Sequence, residues 1–280
     1  MPSREPVRGR VLADRLLAPA AHLNAGLVLA FLYLPVAVLV VFSFSASRYA
    51  AVWGGVSTRW YATLFANREI GHALVNSLVI AAATAAVATL LGTLLALGLH
   101  RRAARRSTAA LDAAVVTPIV VPDVVQGVSL LLFFVLLFAL VERVTGTRPA
   151  LGRATVIAGH TAFAVSYVAL LVRARLRVVP AALREAALDL GATPAEAFRR
   201  VTLPLIRPAV VGGALLAFTL SLDEFVITFF TSGPTARTLP VMVWSMVKRG
   251  VTPEINALSA LLVVSSIVLV TISALLQRER

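Results

Sequence analysis

Six long apolar runs separated by short polar segments set the pattern of hydrophobic and polar positions along the chain. Each run is long enough to cross about 30 Å of hydrocarbon, which takes about 20 helical residues. We therefore predict an all-α polytopic membrane protein with six transmembrane helices. No internal repeat is evident, so we expect one membrane domain, 23–280, after a polar segment, 1–22. The predicted spans lie at 23–45, 72–99, 113–140, 154–172, 208–230 and 256–276.

The longest polar interruption, residues 173–207, separates the fourth and fifth spans and has the pattern of two short helices joined by a tight turn. Pro180 suits a first helical turn, because the N–H that proline lacks has no partner there. Gly191 lies where a helix end favours a residue with positive φ. Thr193 and Glu196, three residues apart, form a capping-box pattern that predicts a second helix start.

We expect the prolines of Leu203–Pro204 and Arg207–Pro208 to end that second helix. Periodicity alone leaves two interpretations of the loop equally open: an amphipathic segment lying on anionic lipid, or a rigid projection that inserts into a partner. The apolar side chains available for insertion are Leu183, Ala187, Leu190 and Phe198.

Composition and charge narrow the class of protein. A chain of 280 residues that is 59% hydrophobic and 14% charged is not a soluble globular protein. Its lack of cysteine excludes disulfides and thiolate chemistry. The net charge of +13 comes from short arginine clusters rather than a continuous basic face, so we do not expect nucleic acid as a partner.

Lys and Arg residues instead predict the orientation of the spans, because they concentrate in cytoplasmic segments. With a cytoplasmic N-terminus, 17 of the 26 lie inside: four before the first span, four in Arg101–Arg106, seven in 173–207 and two at the C-terminus. The other nine lie in the outer loops. Both termini and the 173–207 loop are then predicted to be cytoplasmic.

Three acidic residues fall inside predicted spans: Asp123, Asp223 and Glu224. Ionisable groups at membrane depth are costly and usually face an interior or an aqueous path. They could supply replaceable counter-charges to a cationic solute, or they could pair with a neighbouring subunit. Only the third span is expected to be strongly interrupted, by Pro118 and Pro122. The four histidines lie apart near span edges and are expected to be ordinary interfacial residues: His22, His72, His100 and His160.

Within the loop, the sequence has Glu185–Ala186–Ala187, then Gly191, Phe198 and Leu203–Pro204. This spacing resembles the EAA signature of permease subunits in binding-protein-dependent ABC importers. In that family the loop is the coupling helix that docks into a cleft on a cytoplasmic ATPase. The resemblance implies a coupling role for Glu185 above all, while Arg199 and Arg200 could equally be ordinary positive-inside charges. The implied coupling residues are Glu185, Ala186, Ala187, Gly191, Phe198, Arg199, Leu203 and Pro204.

Other segments are similar to the polyamine (spermidine/putrescine) branch of these permeases, nearest to its C-type subunit: Asn76–Leu78, Pro118–Leu131, Ser221–Thr231, Thr238–Pro240 and Ser245–Ala257. The resemblance implies the type I importer fold in a bacterial inner membrane. It also implies a sister permease, two ATP-binding subunits and an extracytoplasmic substrate-binding protein as partners. The implied solute is a polyamine, with another small amine or an amino-acid-like solute as the alternative.

Two functions of other classes are alternatives to this one. An intramembrane enzyme needs a metal set or an activated nucleophile, and the sequence has neither pattern. We therefore expect no catalytic residues, no metal site and no cofactor in this chain. There is no phosphate-binding loop of the G-x-x-x-x-G-K-[ST] type, so ATP and Mg would belong to a separate ATPase. An ion-coupled secondary transporter usually shows paired broken helices.

Overall fold

The computed structural model describes residues 7–103, 109–250 and 252–278. Within these ranges the regular structure is helical, apart from an isolated bridge between Ser45 and Val56. The predicted all-α class is therefore confirmed. The helices are α1 (Val7–Phe42), α2 (Arg59–Ala66), α3 (Arg68–Ala103), α4 (Ala109–Val120), α5 (Asp123–Thr145), α6 (Arg153–Val178), α7 (Ala181–Asp189), α8 (Pro194–Ala197), α9 (Leu203–Asp223), α10 (Val226–Thr231), α11 (Leu239–Arg249) and α12 (Pro253–Arg278).

Five of the described helical stretches are long and apolar enough to cross a membrane: Ala21–Phe42, Arg68–Arg102, Asp123–Thr145, Arg153–Val178 and Pro194–Asp223. Shorter apolar helices occur at Ala109–Val120 and Pro253–Val268. The last of these carries the sixth predicted span. The segment before it contains the short helix α11.

The third predicted span is divided into α4 and α5 at residues 121–122. Pro122 cannot donate a backbone hydrogen bond, so the helical ladder stops there. The Gln126 side chain compensates by donating from Nε2 to the carbonyl oxygens of Pro118 and Val121, each at 2.9 Å. The predicted interruption is thus present, and its freed carbonyl groups are satisfied within the chain.

The described residues form two compact units, one of residues up to Asn67 and from Met246 onward, the other of Arg68–Ser245. In the first unit, α12 packs against α1 and α2. The turn after α1 is held by Trp60, whose indole N–H donates to the Ser45 carbonyl at 2.9 Å. The α1 segment from Ala21 onward presents an almost entirely exposed apolar surface, as a lipid-facing helix does.

In the second unit, α3, α6 and α9 pack together around a core of small and branched residues. Small residues of α3 lie in this core, with Ala88 and Ala96 fully buried. Gly92 of α3 and Gly213 of α9 both approach Val168 of α6. Small side chains at a crossing let helix backbones approach closely, which is how helices associate where no hydrophobic effect drives them.

A side chain at Gly92 is expected to disrupt this packing. An added Cβ would lie 2.7 Å from Val168 Cβ and 2.9 Å from the Val165 carbonyl oxygen, and neither can move freely. Overpacking of this kind costs about 1–3 kcal/mol, so Gly92→Val should lower the thermal midpoint of the detergent-solubilised protein by about 5 °C. Gly98→Val is the matched control on the same helix, because nothing lies within 4 Å of its added Cβ. Equal midpoints for the two variants would contradict the close contact.

Candidate functional site

The base of the 173–207 loop is tied to the helices around it by two arginines of α6. Arg173 is buried and makes a two-pronged ion pair with Asp112 of α4. Arg175 donates from Nε to the carbonyl oxygen of Leu205, in the first turn of α9, at 3.0 Å. In the sequence these arginines were recognisable only as positive charges that favour the cytoplasmic side. The structure shows that they connect the end of α6 to α4 and α9.

The turn between the two loop helices has the predicted geometry. Gly191 has φ +87°, a region that residues with a Cβ rarely adopt. The Ala192 N–H donates to the Ala187 carbonyl at 3.0 Å, and the Gly191 N–H donates to the Leu188 carbonyl at 2.9 Å. These two bonds are the pair that defines a Schellman motif, which satisfies carbonyl groups left free at a helix end.

The second loop helix begins with the predicted capping box. The Glu196 N–H donates to Thr193 Oγ at 3.3 Å, and the Thr193 N–H donates to the Glu196 carboxylate at 2.9 Å. Pro194 occupies the first helical turn, as expected. The start of this helix is therefore set by residues adjacent in sequence, as the motif predicted.

The predicted end of that helix is wrong. From Pro194 the chain is helical as far as Asp223, through a π-helical segment at Phe198–Thr202. Leu203 N–H bonds to the Phe198 carbonyl, the longer reach that defines this segment. Pro204 follows in the first turn of α9 and Pro208 lies inside it. The wider π turn changes the register ahead of the prolines, and a membrane helix tolerates such interruptions better than a soluble one.

The residues of the EAA signature lie at the surface of this loop, where they are exposed or half-buried. Glu185 is exposed and lines a cleft of about 120 Å³ together with Phe198 and the ends of α3 and α6. A second cleft of about 370 Å³ is lined by Gly191 and Ala187. Leu190 is 89% exposed at the tip. Ala186, Arg199, Leu203 and Pro204 are also exposed, and Ala187 and Phe198 are half-buried.

The fifth predicted span is broken, which the sequence analysis did not expect. Helix α9 ends at Asp223, Glu224 is extended with ψ 112°, and α10 begins at Val226. The carboxylate oxygen Oε1 of Glu224 accepts from the Ile227 N–H at 2.9 Å, which caps the new helix start. The expectation that only the third span is interrupted is therefore wrong. Broken helices cannot be used against a secondary transporter in this chain.

This break brings the three intramembrane acidic residues into one region. Asp123 opens α5 immediately after the first break, and α10 packs against α5. Asp123 and Asp223 lie within electrostatic range of the Glu224 carboxylate. Asp123 and Asp223 are exposed, while Glu224 is half-buried. Three carboxylates around two helix breaks can attract a cation and exchange it, since none is neutralised by a salt bridge in the described residues.

His160 is not the interfacial residue that the sequence analysis expected. It is fully buried in α6, and its Nδ1 and Nε2 lie 2.7 Å from Ser221 Oγ and 2.8 Å from Thr228 Oγ. These two hydroxyls belong to the last turn of α9 and to α10. A ring that makes two polar contacts can be buried without leaving a donor or acceptor unsatisfied. No local sequence pattern signals this cluster, because its members are 61 and 68 positions from His160.

A second polar network fixes the chain that follows α10. Asn76 of α3 accepts from Arg153 Nε at 2.8 Å and donates to the Arg237 carbonyl at 3.0 Å. The neighbouring Ser77 accepts from the Leu239 N–H at 2.8 Å. Asn76 and Ser77 were singled out in the sequence only by resemblance. In the structure they hold the segment that leads from the broken helix into α11.

In the described part of the chain no group of three or more metal-ligating side chains is present. The remaining candidate features are the exposed 173–207 loop and the three carboxylates at the two helix breaks.

The chain matches a known protein family and is similar to characterised relatives. Residues 88–278 match the family described as binding-protein-dependent transport system inner membrane component. The chain is 45% identical over 232 residues, 83% of its length and 81% of the relative's, to the putrescine transport system permease protein PotI of Escherichia coli (strain K12). It is 39% identical over 252 residues, 90% of its length and 94% of the relative's, to the spermidine/putrescine transport system permease protein PotC of Haemophilus influenzae.

Solved structures share the fold at low sequence identity. A chain of a bacterial ABC transporter involved in the import of the acidic polysaccharide alginate superposes with a TM-score of 0.76 at 18% identity, covering 98% of this chain and 99% of that one. A chain of an amino acid ABC transporter superposes with a TM-score of 0.55 at 17% identity, covering 79% and 98%. The importer permease fold implied by the resemblance is thereby confirmed.

Proposed function

Because the chain belongs to the family of binding-protein-dependent transport system inner membrane components, we propose that it passes a polyamine of the putrescine and spermidine kind through the membrane. The chain is a multi-pass inner-membrane permease subunit of an ABC importer. The observation that carries the proposed solute is the 45% identity over most of the chain to a putrescine permease protein. A linear polycation also suits a path whose intramembrane charges are acidic.

We propose a cytoplasmic position for both termini and for the 173–207 loop. The distribution of Lys and Arg supports this orientation, since 17 of 26 then lie on the cytoplasmic side. The domain layout of a short cytoplasmic segment, 1–22, followed by one membrane domain, 23–280, remains part of the proposal. So does the presence of a sister permease, two ATP-binding subunits and an extracytoplasmic binding protein. One of the structural neighbours is a complex with a periplasmic protein, which supports the last of these partners.

The 173–207 loop is proposed to couple ATP hydrolysis on the separate subunits to movement of the spans. Its two capped helices and the anchors at Arg173 and Arg175 make it a stiff element. A stiff element moves as one body when its exposed face is docked on a moving partner. The face proposed to dock carries Glu185, Ala186, Ala187, Gly191, Phe198, Arg199, Leu203 and Pro204. ATP-driven closure of the ATPase pair would then switch the spans between inward and outward openings.

The acidic region at the two helix breaks is proposed to line the solute path. Asp223 and Asp123 are exposed in this chain, so their carboxylates are accessible to a passing ammonium group. Three separate carboxylates bind a polyamine weakly at each point, which permits movement from one to the next. A single tight site would instead trap the solute.

Removal of two of these charges should reduce transport. We expect Asp223→Asn combined with Glu224→Gln to lower ATP-driven putrescine uptake about a hundredfold or more, because each of the two lost charge-assisted contacts contributes about 1.5–3 kcal/mol. Uptake would be measured in proteoliposomes holding the complete complex and ATP. Glu142→Gln removes an exposed carboxylate far along α5 and is the control. Unchanged uptake in the double variant would return both residues to a structural role.

The proposed function itself is tested by the energy source and the solute. The complete complex should take up putrescine or spermidine only with ATP and the binding protein present. Uptake that persists without the ATP-binding subunits and follows an ion gradient would instead identify a secondary transporter. If the cognate binding protein is thermally stabilised by amino-acid-like amines and not by polyamines, the importer class stands and the solute assignment is wrong.

A further inference from the structure

The hydroxyl and imidazole groups around His160 form a hydrogen-bonded chain with a defined direction. Thr228 Oγ lies 2.9 Å from the Glu224 carbonyl oxygen, and a carbonyl oxygen can only accept. The single proton of Thr228 is therefore donated to Glu224. At its 2.8 Å contact with His160, Thr228 must accept, so the ring proton is on Nε2. In a neutral imidazole, Nδ1 is then the acceptor for the Ser221 hydroxyl at 2.7 Å.

This chain spans the break between α9 and α10. Ser221 is in the last turn of α9, Thr228 is in α10, and the Glu224 carbonyl lies in the extended link between them. His160 approaches from a third helix, α6, and is fully buried. One side chain thus contacts both sides of the break. The angle between the two helices depends on both of its contacts.

Close packing gives the ring little freedom to adopt another position. Gly159, beside His160 in α6, has so little space that an added Cβ would lie 3.0 Å from Ile227 Cγ2 of α10. The Phe163 ring packs against the imidazole with centroids 5.9 Å apart. Helix α6 and helix α10 are therefore in direct contact around His160, and movement of α6 reaches α10 without an intervening loop.

The backbone carbonyl and the side-chain carboxylate of Glu224 are therefore both hydrogen-bonded. Its carbonyl oxygen accepts from Thr228, and its carboxylate accepts from the Ile227 N–H at 2.9 Å. The orientation of the Glu224 carboxylate depends on the position of the first turn of α10, because the carboxylate bonds to the Ile227 N–H there. His160 contributes to that position through its contact with Thr228. Along α6, His160 is also 13 residues, about 20 Å, from Arg173 at the base of the 173–207 loop.

We propose that His160, as the neutral Nε2–H tautomer, is a positioning residue for transport: by joining Ser221 to Thr228 across the helix break, it directs the Glu224 carboxylate toward the solute path. This inference rests on the proposed role of the acidic region in transport. It adds that α6 connects the coupling loop to that region through one buried side chain. Loss of the network leaves the carboxylate in the molecule but turns it away from Asp123 and Asp223.

Thr228→Val tests the proposal with little change in shape, because it removes only the hydroxyl that links His160 to Glu224. In the complete complex with ATP, we expect it to lower putrescine uptake about tenfold, the effect of leaving a buried donor without its acceptor. Thr228→Ser keeps the hydroxyl and should recover at least half of wild-type uptake. Thr219→Val is the matched control on α9, since the exposed Thr219 hydroxyl bonds only to its own helix at the Leu215 carbonyl.

A double-mutant cycle separates positioning from general destabilisation. If Thr228 acts through the Glu224 side chain, Thr228→Val should cause little further loss in a Glu224→Gln background. Losses that multiply in the combined variant would overturn the proposal. If Glu224→Gln alone leaves uptake unchanged, the carboxylate has no transport role and the positioning proposal is overturned with it.

A second measurement does not depend on knowing the solute. The chain has no cysteine, so Asp223→Cys introduces a single reporter beside the break. We expect Thr228→Val to change the rate at which this cysteine reacts with a small charged thiol reagent at least fivefold in the assembled complex, while Thr228→Ser and Thr219→Val do not. Equal rates in all backgrounds would overturn the positioning role. If the rate changes and the complex that keeps Asp223 transports no polyamine, the positioning role stands and the proposed solute is wrong.

Discussion

Glu185→Lys is expected to abolish substrate-stimulated ATP hydrolysis in the assembled complex while leaving the chain inserted in the membrane. Glu185 is exposed on α7 and lines a cleft with Phe198, so its side chain is available to a partner. Reversal of a charge at a docking surface replaces attraction by repulsion, which costs several kcal/mol at a protein interface. Among the described residues no hydrogen bond or ion pair involves the Glu185 carboxylate, so folding should be unaffected.

The measurement is the ATPase rate of the reconstituted complex with and without loaded binding protein. Glu142→Lys reverses another exposed charge away from the loop and should leave the stimulation intact. Glu185→Gln removes the charge without repulsion and is expected to show an intermediate effect. Full stimulation in the Glu185→Lys complex would show that the loop does not couple through this residue.

Substitutions at Gly191 test the docking of the loop by changing side-chain bulk. Nothing in the described residues lies within 4 Å of a Cβ added there, so a large side chain would project away from this chain. Its φ of +87° means that any substituted residue is strained, at a cost of about 1–2 kcal/mol. Gly191→Ala and Gly191→Trp share that strain and differ in bulk alone. We expect stimulation to survive in Gly191→Ala and to vanish in Gly191→Trp. Equal loss in both would assign the effect to backbone strain and not to docking.

Asp112→Asn should cause the largest loss of stability of any single polar substitution considered for this chain. Arg173 is buried and its guanidinium group makes two contacts with Asp112, whose side chain keeps 35% of its exposure. Removal of one partner leaves the other charge in a poorly solvated place, with a cost of about 3–5 kcal/mol for buried pairs. Because Asp112 is partly exposed, we expect about 3 kcal/mol, the lower end of that range.

The loss would be measured as a shift in the unfolding midpoint of the purified protein in detergent. Arg148→Gln is the control, since it breaks an exposed ion pair with Glu142 at 3.8 Å, and such pairs contribute about 1 kcal/mol or less. Asp112→Leu with Arg173→Met removes both charges together and should recover most of the stability lost in the single variant. A single variant as stable as the control would mean that the pair is solvated in the folded protein.

The Arg173–Asp112 ion pair also connects the loop to helix α4. Arg173 is the first residue of the 173–207 loop and Asp112 lies in the first turn of α4, so the pair joins the loop to the half-helix that leads to the first break. His160 joins the same α6 to the second break. Helix α6 is therefore the common element between the loop and both interruptions. A rigid helix with polar contacts at both ends can carry a displacement between two sites.

Much of this protein was determined by residues that are close together in the sequence. The length of each apolar run predicted the spans, because a helix rises about 1.5 Å per residue and must cross about 30 Å. The positive φ at Gly191, the capping box at Thr193 and Glu196, and the interruption at Pro122 were all predicted correctly. Each depends on hydrogen bonds made within a few residues, so the local sequence contains all the groups involved.

The tertiary structure alone decided which distant polar groups meet. Neither the break at Glu224 nor the burial of His160 has a local signature, and Pro204 and Pro208 did not end their helix as their local pattern indicated. Arg173 pairs with Asp112, and His160 contacts Ser221; in each pair the two residues are 61 positions apart in the sequence. Such pairs form because helix packing places buried polar side chains side by side, where each unsatisfied group would be costly. Sequence specifies which polar groups a helix carries, and packing determines their partners.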